Sequence, residues 1–255
     1  MAPYFLRERL SARYRVTMAS VFCRRPVVMR NSTPLVSFAF DDFPRSAYRT
    51  AGAILKKRGL AGSYYASLGL MDQTTKVGEI FGLRDLVELV EDGHELGCHT
   101  YDHCHAWTTR PAVFEESILR NREALAKLLP TATFRSLSHP YSCPRPAIKR
   151  RTAKYFTCCR GGSRNPINCD SADLNNLTGF FLEKCRGDFR LVQDILNENR
   201  RILGWTILTT HDVSESPTQY GCTPGFFEAA VDYALSSGAR ILPVVCAAEA
   251  IGRAD

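Results

Sequence analysis

The chain has 255 residues, 45% of them hydrophobic and 23% charged, and a formal net charge of +7. That length fits one large domain or two small ones, and the composition excludes a disordered or collagen-like chain. No apolar run reaches the ~20 residues that span a bilayer. The Arg-rich N-terminus lacks the apolar stretch of a secretory signal. Ten Cys without CxxC spacing then read as reduced thiols of a cytoplasmic protein, not as a disulfide framework or a zinc knuckle.

The charge is unevenly placed. Residues 1–30 carry seven Arg against Glu8, which is +6 of the +7. No basic stripe is left for the rest of the chain, so no nucleic-acid partner is expected. Leu6, Leu10, Tyr14 and Met18 recur every fourth position among the arginines, which predicts a basic amphipathic helix. It would pack on the main domain or a second subunit, or dock peripherally on an anionic membrane surface. Residues 31–255 form the second predicted unit.

From Leu35 strands and helices alternate. Leu35–Phe40 reads as a strand running into Asp41-Asp42, and Ala47–Arg58 as a helix stopped by Gly59. Strands follow at Gly62–Leu68 and Glu95–Cys98, with a helix between them at Leu83–Glu91. Pro111–Leu129 is the clearest helix, with Pro at its first turn. Thr133–Leu137, Tyr155–Cys159, Phe180–Glu183, Leu203–Thr210 and Arg240–Val245 read as strands, and Arg145–Thr152, Asp188–Arg201 and Thr223–Ser236 as helices. Residues 160–176 read as a polar loop. This alternation predicts an α/β fold with a parallel sheet and external helices, enough units to close a barrel, and chemistry at the C-terminal ends of the strands.

Four of the six His follow predicted strands: His99, His103, His139 and His211. His99 and His103 are four apart, so one tight turn can aim both imidazoles the same way. Two neutral imidazoles and one carboxylate make a three-ligand site with open positions. Either Asp41 or Asp42 can supply the carboxylate, and the other then stands ready as a general base for metal-assisted hydrolysis. Cys98 and Cys104 flank the histidines and read as small packed residues. His94, His105 and His139 are expected at the surface or behind the site. Trp107 and Trp205 are expected in packing, and Tyr101 offers a face to a sugar ring.

Phe40-Asp41-Asp42, His99-Thr-Tyr-Asp-His103, Pro140-Tyr141 and Leu208-Thr-Thr-His211-Asp212 occur in this order. Together they resemble the polysaccharide deacetylases with the NodB homology domain (carbohydrate esterase family 4) over about residues 35–245. The resemblance implies a distorted (β/α)7-type barrel, here with a basic helical N-terminal extension. It also implies a hydrolase that removes N-acetyl groups from an N-acetylated sugar, oligosaccharide or polysaccharide. Asp42, His99 and His103 would bind a divalent metal, Zn2+ first among them. Asp41 would be the general base, His211 the general acid, and the Tyr141 backbone N–H a donor to the oxyanion.

Some motifs depart from the family pattern. Phe43 stands where the first motif has Gly, which restricts that loop. The third motif, R-x-P-Y, has Ser138 in place of the Arg that steadies the catalytic Asp. Arg135, through a bulge, or Arg160 could replace it, and Asp170 or Asp173 could serve for the acidic fourth motif. A catalytically silent glycan-binding relative and a hydrolase of a small amide or formamide are the competing readings. A non-haem iron oxygenase would share the ligand set, but the βα alternation argues against its usual all-β fold.

Overall fold

The computed structural model describes residues 2–162 and 165–252. Its helices are α1 (Ala2–Val21), α2 (Ala53–Lys57), α3 (Leu83–Glu91), α4 (Pro111–Leu128), α5 (Pro146–Thr152), α6 (Arg190–Arg201), α7 (Pro224–Ser236) and α8 (Val244–Ala250). The strands are β1 (Pro26–Val28), β2 (Leu35–Phe40), β3 (Ser63–Ala66), β4 (Thr74–Thr75), β5 (Gly78–Glu79), β6 (Glu95–Cys98) and β7 (Ser136–Ser138). They continue with β8 (Cys158–Gly161), β9 (Ile167–Asn168), β10 (Ser171–Asp173), β11 (Leu177–Thr178), β12 (Phe180–Phe181), β13 (Trp205–Thr210) and β14 (Arg240–Ile241).

Parallel pairing runs β11–β8–β7–β6–β3–β2–β13–β12. The two edges are consecutive in the chain and separated by Gly179 alone. Leu177–Thr178 pairs with β8 and Phe180–Phe181 with β13, so one interrupted strand joins both edges. The result is a distorted (β/α)7 barrel. Strand β2 is shared in a similar way: its first two residues pair with β14 and its last two with β3.

Side-chain alternation sorts the core. In β2, Val36, Phe38 and Phe40 join the large cluster under the helices, while Leu35 and Ala39 face Tyr65, Cys158, Trp205 and Ile207 inside the barrel. Ser37 belongs to the inner set and accepts a hydrogen bond from Trp205 Nε1 (3.0 Å). The same period carries Asp41 to the inner side at the barrel mouth. Helix α8 closes the opposite end through Val244, Ala247 and Ile251.

Several boundaries differ from the sequence reading. The strand expected at 133–137 is β7, at 136–138, and the one expected at 155–159 is β8, at 158–161. This shift takes Arg160 out of the predicted loop and into a strand. The strand expected at Arg240–Val245 ends at Ile241, because Pro243 has no N–H for a ladder and instead starts α8. Of the histidines expected at the surface or behind the site, His94 and His139 are buried.

In the basic extension, the Leu6 and Leu10 side chains lie outside the described residues. Further along, Ala19 is buried and its carbonyl accepts from Lys149 Nζ (2.6 Å). Tyr14 and Arg15 pack on Trp107, and β1 pairs antiparallel with β10. No described helix is long and apolar enough to cross a membrane.

Candidate active site

One cavity of about 290 Å³ opens at the C-terminal ends of the strands, and Asp41, Asp42, His99, His103, Tyr141 and His211 all line it. Asp41 and Asp42 follow β2, His99 and His103 follow β6, Tyr141 follows β7 and His211 follows β13. The loops that carry them are backbone-strained. Asp42, Phe43, Thr100, His103, Tyr141 and Ser142 all have φ between +50° and +66°, a region that non-glycine residues enter at a cost and mostly at functional sites. Phe43 shows what offsets that cost. Its ring turns away from the cavity into the core and stacks on Phe81 (4.6 Å) beside Tyr64 (5.2 Å).

His99 and His103 do not sit on a helical turn. They sit on a loop whose residues Thr100 and His103 are left-handed. Ser117 of α4 holds this loop, its Oγ accepting from the Tyr101 and Asp102 N–H groups. The His99 Nε2 lies 3.3 Å, and the His103 Nε2 3.0 Å, from Asp42 Oδ1. His99 Nδ1 lies 2.8 Å from the Ser138 carbonyl, which can only accept. The Nδ1 therefore carries a proton, and whenever the ring is neutral its Nε2 lone pair faces Asp42. Asp42 Oδ1 is buried and closes no hydrogen bond.

The three ligand atoms lie within 4.8 Å of one another. Lone pairs facing a carboxylate oxygen repel one another unless a cation stands among them. One oxygen and two imidazole nitrogens, one of them oriented by a carbonyl behind it, match a divalent-metal donor set. With no cation between them, the carboxylates instead favour a protonated His99 ring. Burial pulls the His99 pKa down, but Asp42 and Asp41 outweigh it and leave it raised. Burial pushes the Asp42 carboxyl up, yet His103 and His99 hold it well below the usual range. Cys98 stands outside this set, its thiol pushed up to about 11 by burial.

Asp41 is held from the other side. Arg160 Nη2 donates to Asp41 Oδ1 and to Ser138 Oγ (2.6 Å). Burial raises the Asp41 carboxyl, but Arg160, His99 and His211 outweigh it and keep the pKa lowered. Ser138 and Arg160 are register partners on β7 and β8. The guanidinium missing from position 138 thus arrives from the adjacent strand, one rung across. Its carbon lies 5.3 Å from the Tyr65 ring and 5.6 Å from the Phe181 ring. A Cβ on Gly179 would come within 3.2 Å of Arg160 Nη1, so the break between β11 and β12 also makes room for this group. Arg135, the other substitute considered, pairs with Glu249 instead.

His211 leans on backbone, not on an acid. Its Nδ1 lies 3.2 Å from the Tyr220 carbonyl. Asp212 shapes the loop that brings Tyr220 there, accepting from the Thr218 N–H (2.8 Å) and the Thr218 hydroxyl (2.5 Å). Gly221 packs so closely that a Cβ would lie 2.3 Å from Asp212 Oδ1. Burial lowers the His211 pKa against the pull of Asp41 and Asp42. Asp173, one of the two carboxylates considered for this support, is engaged instead by Lys149 (2.7 Å) and the Arg25 N–H (2.8 Å). The other, Asp170, accepts from the Met29 N–H through its main-chain carbonyl (3.0 Å) and is not among the groups that line the cavity.

Among the described residues the Tyr141 N–H meets no acceptor, which leaves it free to donate into the cavity. The Tyr141 ring stacks on His105 (4.5 Å). Tyr101 does not line the cavity and lies under Arg120. Six lining groups had no site signal in the sequence: Lys76, Ser142, Phe181, Glu183, Lys184 and Tyr220.

A family model of polysaccharide deacetylases matches residues 29–156, half of the chain. The chain belongs to the polysaccharide deacetylase family. Solved structures share the deacetylase fold at low identity. A family 4 carbohydrate esterase from Streptomyces lividans, in complex with acetate, superposes with a TM-score of 0.56 at 16% identity, covering 82% of this chain and 91% of that one. A mutant of the peptidoglycan deacetylase PdaC from Bacillus subtilis gives 0.56 at 13% identity, covering 86% and 92%. A family 4 pseudoenzyme from Bacillus anthracis gives 0.60 at 12% identity, covering 86% and 66%. No curated protein matches the chain.

Proposed function

We propose that this deacetylase hydrolyses the N-acetyl group of an N-acetylated saccharide with the help of a divalent cation, Zn2+ first among the candidates, held by Asp42, His99 and His103. The observation that carries this is the convergence of two imidazole Nε2 atoms, at 3.3 and 3.0 Å, on the buried Asp42 Oδ1. When bound, such an ion lowers the pKa of a water toward ~7 and polarises the acyl carbonyl.

The chain's own groups divide the remaining work. Asp41, kept ionised by Arg160, takes the proton of the attacking water. The free Tyr141 N–H donates to the oxyanion that develops on the carbonyl oxygen, a contact typically worth about 3 kcal/mol in acyl-transfer sites. His211, with Nδ1 anchored on the Tyr220 carbonyl, enters the step as imidazolium, hands its Nε2 proton to the departing amine and is left neutral. Burial favours its neutral form, so the proton it delivers is loosely held.

Loss of the third-motif Arg is the feature that suggested a silent glycan-binding relative. Arg160 supplies the same charge to Asp41, which favours the catalytic reading. Acetate release from N-acetylated chito-oligomers tests the proposal. The expected result is chelator-sensitive turnover that Zn2+ restores and that His99→Ala abolishes. Turnover indifferent to chelation would overturn it.

A further inference from the structure

The cavity has a cationic rim that the proposed reaction does not use. Lys76 stands at the tip of the β4–β5 hairpin. The hairpin is fixed, not loose. Val77 beside it is fully buried in the main core, Ile80 bridges to Pro44, and Arg45 ties Glu79 (2.8 Å) to Asp85 (2.9 Å). With Val77 turned inward, Lys76 turns out across the cavity mouth. Its ammonium lies 4.9 Å from the centre of the Tyr220 ring and 5.7 Å from that of Tyr141, rings carried by the loops after β13 and β7. Lys184 reaches the same cavity from beyond β12, with its ammonium 5.3 Å from the Phe181 ring.

No described carboxylate pairs with either lysine. The three acids of the cavity are otherwise engaged or uncharged. Asp41 is paired with Arg160, Asp42 belongs to the proposed cation site, and burial pushes Glu183 up to about 8. Two ammonium groups therefore remain without a counter-charge at the mouth of a cavity whose floor suits a cation. Clefts lined by one sign of charge concentrate ligands of the other sign.

We infer that the cleft selects an N-acetylated saccharide carrying an anionic group, a carboxylate or a phosphate, on the acetylated sugar or its neighbour, with Lys76 and Lys184 as the residues that determine this specificity. The inference rests on the deacetylase reading. An amine liberated on a neighbouring sugar would meet the same two cations, so a fully deacetylated chain is disfavoured.

Three probes separate the cases: neutral N,N′-diacetylchitobiose, a tetrasaccharide alternating N-acetylglucosamine with glucuronate, and N-acetylglucosamine 1-phosphate. At low salt, kcat/KM for at least one anionic probe is expected to exceed that for the neutral one by about tenfold or more. That preference should shrink with added salt and fall toward one in the Lys76→Ala/Lys184→Ala protein. Which anionic probe leads identifies the carboxylate or the phosphate. Binding of the same probes, measured by calorimetry in an Asp41→Asn background, gives a readout independent of turnover. Equal kcat/KM for all probes, or a preference unchanged by the double substitution, overturns the inference. Charge-selective binding lost in the double variant, with no turnover of any probe, would refute the proposed reaction while sustaining the specificity.

Discussion

The two ends of the barrel each bury carboxylates, and they satisfy them differently. At the closed end, Glu95 accepts from the Ser63 hydroxyl (2.7 Å), the Ser136 hydroxyl and the Val245 N–H (3.0 Å), while Ser63 Oγ accepts from the Val244 N–H (2.8 Å). All of these donors are neutral, and burial pushes the Glu95 carboxyl up. The arrangement fastens α8 across the barrel. At the mouth, burial acts in the same direction on Asp41 and Asp42, but Arg160 and two imidazoles reverse it. There the loops are strained and one carboxylate oxygen is left without a donor. A buried carboxylate closed off by neutral donors is a fastening. One that faces two imidazole nitrogens is placed to share a cation with them.

The largest effect should come from the mouth. Asp42→Ala is expected to abolish both bound metal, read by elemental analysis, and acetate release. Arg160→Met should keep the metal, since Arg160 touches none of the three ligands. It should cost about 10–100-fold in kcat, the range typical when a supporting partner of a metal-site group is lost. Without the guanidinium, burial dominates Asp41, so the acid limb of the pH–rate profile should move to higher pH. Exchanging the two register partners, Ser138→Arg with Arg160→Ser, sharpens the point: partial recovery over Arg160→Ser alone would show that the charge matters more than the strand it comes from.

The closed end should behave in the opposite way. Glu95→Ala leaves two hydroxyls and an N–H unpaired and is expected to lower unfolding stability by about 1–3 kcal/mol, with metal content and kcat per folded molecule preserved. A loss of metal in that variant would break the contrast between the two ends.

The smallest effect concerns pH. Burial lowers His94 to about 4 and His139 to about 3, against 6.5 for a free ring. Only the unfolded rings bind protons between 6.5 and those values, so stability should fall as pH drops through that window, by up to about 1.4 kcal/mol per pH unit for each ring. Glu183 works in the other direction. Its raised pKa means that stability falls as pH rises from 4.5 toward about 8. Urea midpoints across pH should show a shallower acid slope in His94→Gln and a shallower neutral-to-alkaline slope in Glu183→Gln.

The fold class was legible because strands and helices alternate from Leu35 onward, and the site because Asp41, His99, Tyr141 and His211 each follow a strand. The six lining residues named from sequence meet in one cavity. What escaped was set by tertiary pairing. Arg160 looked like a loop residue because β8 is short and polar, and only its register with Ser138 shows what it does. The support of His211 is a main-chain carbonyl, which no side-chain motif encodes. Lys76 gained its place from a six-residue hairpin too short to show a period, and Phe43 could replace glycine only because its ring finds a partner in the distant Phe81.

Anomalous diffraction at the zinc absorption edge from a Zn2+-loaded crystal tests the central claim most directly. The expected result is a single strong peak within about 2.0–2.2 Å of His99 Nε2, His103 Nε2 and an Asp42 oxygen. A peak elsewhere, or those three side chains closed on one another with no ion between them, would contradict it.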